Sequence, residues 1–446
     1  MPPTSTSTEP SPPAARSAVP PTGLPSRLPD PIWPPGLPPR RRPAISRRTA
    51  VIALVVALGI VSAVAVCLYL DSPPAFLDLS VYREGVQAWW RGQNVYGTLP
   101  PTFGNDTLPF IYPPFALLFL GPVVALPWSI STVVMLAISL SSLAVVVYLS
   151  VRHVGPDLSR PAVLAATAGL VSVSLALEPV EDTLWFGQVN LLLMLLVTLD
   201  CLPARTRWPR GILVGVAAAV KLTPIVFLLY FLLRKDYRAA ATAAVSALTA
   251  TAIGFLVSWH GSLQFWFGHS GGARTVSGSA YYSNQTVDGF LARLQLPGLE
   301  QSVLWVAMVA VVLVAAAIGI RRAHLIGDRT LAMALTGCFG LIASPTSWGH
   351  HWVYVVPGVI AMGAYSIRHR SRGWAVACGV TGATFVLGPF RFLTSTNGAY
   401  LHWNPVQQII GNSYIIVGIA LLVAFAIPAL PTLPLLRAAR SRSRPR

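Results

Sequence analysis

The chain of 446 residues is 54% hydrophobic and only 11% charged, with a mean hydropathy of +0.62. A soluble domain carries about 25% charged residues, so most of this chain does not face water. The formal charge of +17 is almost all arginine, Lys221 and Lys235 being the only lysines, and the arginines fall between apolar runs and at both ends; that placement marks the cytoplasmic side of a membrane protein rather than a nucleic-acid surface.

Residues 1–48 hold fifteen prolines and no apolar periodicity, which predicts a disordered cytoplasmic arm. "RRRPAISRR" then precedes the first apolar run, Thr49–Leu70, and its arginines place the N-terminus in the cytoplasm. "AFLDLSVYREGVQAWW" follows. It reads as an amphipathic helix over 78–91 lying on the outer membrane surface, with Leu79, Val86, Trp89 and Trp90 on its apolar face and Tyr82 at the edge. Pro113–Pro127 is short and interrupted by Pro122, which suits a re-entrant or oblique segment. Ser129–Val151 is long enough to span. Further apolar runs cover 161–177, 189–202, 211–234, 239–258, 302–320, 330–343, 352–367, 374–390 and 406–427.

These runs are continuous rather than alternating, so the expected class is an all-α polytopic membrane protein of about ten to twelve transmembrane helices. The membrane domain spans 49–436 and a basic cytoplasmic tail 437–446. "RTRWPR" and "RKDYR" flank Gly211–Arg234 on the same side, so that run enters and leaves by one face, broken at Lys221-Leu222-Thr223-Pro224. A broken helix at membrane depth persists only where protein or a water-filled cavity satisfies its backbone. The stretches 71–112, 178–188, 259–300, "SPTSWGHH" and 393–405 face outward. Cys67, Cys201, Cys338 and Cys378 form no CxxC pair, so neither a disulfide framework nor a zinc site is indicated.

Asp78 reads in two ways, as a first-turn acid stabilising its helix or as a general base whose pKa is raised by partial desolvation. Gln188 and Asn190, after the acidic cluster Glu178, Glu181 and Asp182, cap a helix or bind sugar hydroxyls, since each amide both donates and accepts. Lys221 lies about ten residues from either end of its run, which leaves snorkelling poorly served; an ionisable group there marks function, and an ammonium suits a phosphate. His350 and His351 point about 100° apart if helical, which disfavours joint metal chelation; they are structural histidines or phosphate donors. Arg274 and Arg293, in the Gly- and aromatic-rich Gly261–Leu294 stretch, are secondary phosphate candidates.

In order along residues 70 to 360, the outer-loop Asp78, "YPPF", "GQVNLLL", "GVAAAVKLTPIVFLLYFLLR", "NQTVDGFLARL" and "SPTSWGHHWVY" resemble the actinobacterial mannosyltransferases of glycosyltransferase family 87. The resemblance implies a GT-C membrane fold and a polyprenol-phosphate-mannose donor. It implies an acceptor that is a lipid-anchored mannoside: phosphatidylinositol mannoside, lipomannan or lipoarabinomannan. It also implies an active site on the periplasmic face of the plasma membrane and inverting α-(1→2) transfer with no metal or other cofactor. Asp78 then matches the catalytic base, His350, His351 and Lys221 the donor phosphate site, and Gln188, Asn190, Tyr82, Trp89 and Tyr112 the sugar and substrate contacts. Rival readings are a flippase for a lipid-linked sugar, which needs no base, an arabinosyltransferase of the same fold, and an envelope scaffold.

Overall fold

The computed structural model describes residues 76–102, 107–268 and 280–427. The expected first span, the proline-rich arm, the basic tail, Cys67 and Arg274 lie outside them. The described chain is helical. In order it forms α1 (Leu77–Trp90), α2 (Phe115–Val124), α3 (Trp128–Val154), α4 (Arg160–Ser174), α5 (Glu178–Phe186), α6 (Asn190–Cys201), α7 (Ile212–Val220), α8 (Phe227–Arg234), α9 (Tyr237–Val257), α10 (Trp259–Phe267), α11 (Val287–Arg293), α12 (Gly298–Leu325), α13 (Arg329–Ala343), α14 (Val355–His369), α15 (Arg372–Leu387), α16 (Pro405–Gly411) and α17 (Ser413–Ala426).

By length and composition α3, α9 and α12 can each cross a bilayer, and the bent pairs α4–α5 (76°) and α16–α17 (70°) bring the number to five if each pair is one span. The protein is thus an all-α polytopic membrane protein, but its apolar runs do not map one-to-one onto straight crossings. α2, α6 and α13 have 10, 12 and 15 residues and rise about 15–22 Å, less than a hydrocarbon core of about 30 Å. Breaks at Pro, Gly and polar turns divide the runs into half-length helices, and those breaks put backbone and polar side chains at depth.

One break builds the site. Residues 211–234 fold as a hairpin: α7, an extended Lys221 (φ −148°, ψ 129°), a 3-10 turn Thr223–Val226, then α8. Its two ends meet, with Arg210 Nε 4.0 Å from Asp236 Oδ2, which leaves Lys221 at the tip. Asp200 anchors the base by accepting from Trp208 Nε1 at 2.8 Å and from the Val214 amide at 3.0 Å.

A small-residue seam holds the hairpin to α9. Gly211 and Gly215, four apart, back onto Ala239 and Ala243, and the Ser246 hydroxyl donates to the Ile212 carbonyl at 2.9 Å. Such spacing lets helix backbones approach in a membrane. Gly211 also needs its positive φ of 104°. At Gly215 a methyl group would fall 2.5 Å from the Ala243 oxygen and 2.7 Å from the Ala247 nitrogen. Gly215→Ala is therefore expected to destabilise by about 1–3 kcal/mol through overpacking, despite a helix-propensity gain of about 1 kcal/mol. A melting curve in detergent no lower than wild type would refute the seam.

Candidate active site

α1 supplies the carboxylate. Its N-cap is Phe76, whose side chain makes no capping bond, and Asp78 stands in the first turn. Leu79, Tyr82 and Val86 are fully buried, whereas Trp90 is 51% exposed. Tyr82, expected at the edge, is thus central, and Trp90 lies outside the buried face. The helical pitch explains the shift: Leu79, Tyr82 and Val86 recur at three- and four-residue steps, and Trp90 falls off that stripe once Tyr82 defines its centre.

Tyr82 and Tyr112 meet edge to face at 5.2 Å, and both hydroxyls donate to Gln188 Oε1, Tyr112 at 3.1 Å. The same oxygen accepts the Val189 amide at 3.0 Å. An amide oxygen engaged by three donors fixes the side-chain orientation, so Nε2, which has no partner within hydrogen-bond geometry among the described residues, is presented as a donor. Asp78 is the neighbouring acceptor.

Lys221 completes the cluster from the hairpin tip. Its Nζ lies 2.9 Å from Asn190 Oδ1 and 2.9 Å from His351 Nε2, and 5.6 Å above the Tyr112 ring. Asn190 passes the connection on by donating Nδ2 to the His350 carbonyl at 2.8 Å, a carbonyl that also accepts from Thr183 at 3.0 Å. An ammonium has only donors, so His351 must accept at Nε2 and carry its proton on Nδ1. That Nδ1, and Nε2 of His350, are buried without a protein partner among the described residues. The histidines occupy a 3-10 turn, Gly349–Tyr354, with ring centroids 4.6 Å apart at 89°.

Asp78 lies outside the spanning helices. Burial pushes its carboxyl up from the ordinary value to about 6; the Lys221 charge and the nearby Gln188 amide oppose the rise, and Asp182 adds to it. The arrangement therefore sets one carboxylate able to take a proton beside an ammonium and imidazole N–H donors suited to an oxyanion.

Residues 110–345 match the profile of glycosyltransferase family 87. The chain belongs to that family. Asp78 and the histidine turn flank the matched stretch on either side. A polyprenol-phosphate-mannose-dependent alpha-(1-2)-phosphatidylinositol mannoside mannosyltransferase of Mycobacterium tuberculosis is 35% identical over 361 residues, 78% of this chain and 84% of that protein. Its namesake in Mycolicibacterium smegmatis is 35% identical over 375 residues, 79% of this chain and 84% of that one. A Mycobacterium tuberculosis phosphatidylinositol pentamannoside mannosyltransferase is 30% identical over 321 residues, 71% of this chain and 73% of the relative. No solved structure matches the chain.

In this family 87 glycosyltransferase the structure brings together Asp78, Tyr82, Tyr112, Gln188, Asn190, Lys221, His350 and His351. Trp89 stands apart from their hydrogen-bond network, its Nε1 donating to the Val257 carbonyl at 2.9 Å. Arg293 is buried and engaged by the Tyr281 and Asn284 carbonyls and by Asn412 Oδ1 at 2.6 Å, so it braces the outer loop. Sequence reasoning missed Thr183 and the lock between Glu178 and Tyr414 (2.7 Å) that backs the histidine turn. Glu178 carried a signal, since an acid heading an apolar-flanked helix is costly unless paired.

Proposed function

We propose that this protein transfers mannose from polyprenol-phosphate-mannose to a 2-hydroxyl of a phosphatidylinositol mannoside, inverting a β-mannosyl phosphate to an α-(1→2) linkage. The observation that carries the reading is the convergence of Asp78 and the Lys221–His351 pair on the Gln188–Asn190 segment. Asp78 takes the acceptor hydroxyl proton as that oxygen attacks the anomeric carbon. The bond from that carbon to the phosphate oxygen breaks, and the electron pair leaves with the polyprenyl phosphate. Lys221 and the Nδ1–H of His351 stabilise the charge that develops there, as preorganised donors do for a leaving oxyanion. The relatives' names support both donor and acceptor class. An extracytoplasmic site is supported by the arginine-rich connections, since such positive charge favours the cytoplasmic side and α1 lies opposite them in the sequence reading.

The deciding experiment presents purified protein in nanodiscs with radiolabelled polyprenol-phosphate-mannose and polyprenol-phosphate-arabinose, each against mono-, di- and pentamannosylated phosphatidylinositol. Mannose transfer releasing an α-(1→2)-mannosidase-sensitive product is the expected result. Transfer of arabinose alone, or of neither sugar, overturns the proposal. Labelling of Gln93→Cys by an impermeant maleimide in intact cells tests the face, since Gln93 is exposed just beyond α1.

A further inference from the structure

The base of the 211–234 hairpin gathers positive charge that the transfer chemistry does not use. Arg234 ends α8, Arg210 precedes α7, His324 lies in the last turn of α12, Arg329 opens α13, and His153 stands at the end of α3. The principal charges facing His153 are Arg329, Arg368 and Arg234. Those facing His324 are Arg234, Arg321 and Arg329. Arg329 in turn faces Arg234, Arg210 and the Tyr230 phenol. The neighbouring carboxylates are engaged elsewhere, Asp236 with Arg210 at 4.0 Å and Asp328 with the Leu331 amide at 2.9 Å, and among the described residues none makes an ion pair with Arg234.

Carbonyl capping explains part of the cluster. Arg329 donates to the Leu202 oxygen at 3.1 Å, Arg321 to Leu233 at 2.8 Å and Arg368 to Val154 at 2.6 Å, each at a helix C-terminus. Arg234 is different. It is half-buried, makes no hydrogen bond or ion pair among the described residues, and its Nη1 is shut from solvent without a partner. His324 Nε2 is likewise buried and unpartnered, with its ring 4.6 Å from Tyr230. A guanidinium nitrogen shut from water beside other guanidiniums, with its N–H groups unpaired, costs free energy unless an acceptor joins it.

We infer that Arg234, Arg329 and His324 bind a phosphate group at the hairpin base, carried by an anionic phospholipid. A phosphate offers several acceptor oxygens to donors converging from different helices, and the arginine fork fits it. The site lies at the ends of α3 and α12, both long enough to cross a bilayer, which is where headgroups sit; basic pockets between helices at that level take anionic headgroups. It is separate from Lys221, since the eight residues of α8 alone rise about 12 Å. The inference is independent of which sugar is transferred.

Arg234→Gln is the discriminating variant, because it removes no hydrogen bond of the fold. Wild type and variant are reconstituted in phosphatidylcholine nanodiscs, with and without 20% (about one lipid in five) cardiolipin, and a third arm adds inorganic phosphate to the phosphatidylcholine discs. The expected result is a rise of the wild-type melting temperature with cardiolipin, retention of cardiolipin by the detergent-purified protein in native mass spectrometry, and at least about tenfold weaker retention in Arg234→Gln. Stabilisation by inorganic phosphate that the variant loses keeps the phosphate site and reassigns its occupant to a soluble anion. Equal responses of wild type and Arg234→Gln in every arm overturn the site. A second variant, His324→Gln, guards against a misfolded first one; retention matching wild type in a normally melting His324→Gln overturns the part assigned to His324.

Discussion

Asp78→Asn is expected to lower mannosyl transfer by about a thousandfold while leaving the melting temperature and donor binding near wild type. General-base assistance contributes roughly 10²–10⁴ in rate, and asparagine keeps the shape of the side chain while removing its basicity. The wild-type profile should follow ionisation of the same group. Burial holds the Asp78 carboxyl at about 6, and only the ionised form accepts a proton. Transfer should therefore fall about tenfold per unit well below pH 6. Asp78 stands in the first turn of α1 and is not its N-cap residue, and asparagine keeps a polar side chain there. A variant that transfers within a fewfold of wild type would return Asp78 to the role of a first-turn acid.

The same site shows what sequence carries and what it does not. Asp78 and Lys221 stood out because charge is costly next to, or inside, an apolar run, and the structure brings the two into one cluster. The hairpin was legible from arginines on both of its flanks. Its seam was not, because Gly211 and Gly215 acquire meaning only against Ala239 and Ala243. Gln188 and Asn190 were visible as a polar pair at a helix mouth, but not the division of labour between them. Gln188 gathers Tyr82 and Tyr112 from 106 and 76 residues away, and Asn190 joins Lys221 to a turn 160 residues on. Contacts at such separations leave no local pattern. Trp89 and Arg293 show the opposite difficulty: aromatic and cationic side chains near an outer loop suit a substrate, and they suit equally a backbone carbonyl that needs a donor.

Lys221→Met is expected to reduce transfer by about a hundredfold or more and to shift its pH dependence. Methionine retains most of the unbranched stem but offers no donor. Removing one preorganised donor to a developing oxyanion costs about 10²–10³ in rate, and Lys221 is the one ammonium in the cluster. The charge also acts on the base. Lys221 draws the Asp78 carboxyl down against the rise caused by burial, so without it the carboxyl should titrate higher, and the residual activity of Lys221→Met should have its acid limb above about pH 6. Lys221→Arg should not restore full rate, since a planar guanidinium cannot reproduce Nζ bonds of 2.9 Å to both Asn190 and His351 at the same tip. A purely structural tether predicts a different outcome. Melting temperature would then fall, and transfer per folded molecule would hold within about threefold. Only the joint loss of rate and upward shift of the limb fits an ammonium that serves both the leaving phosphate and the base.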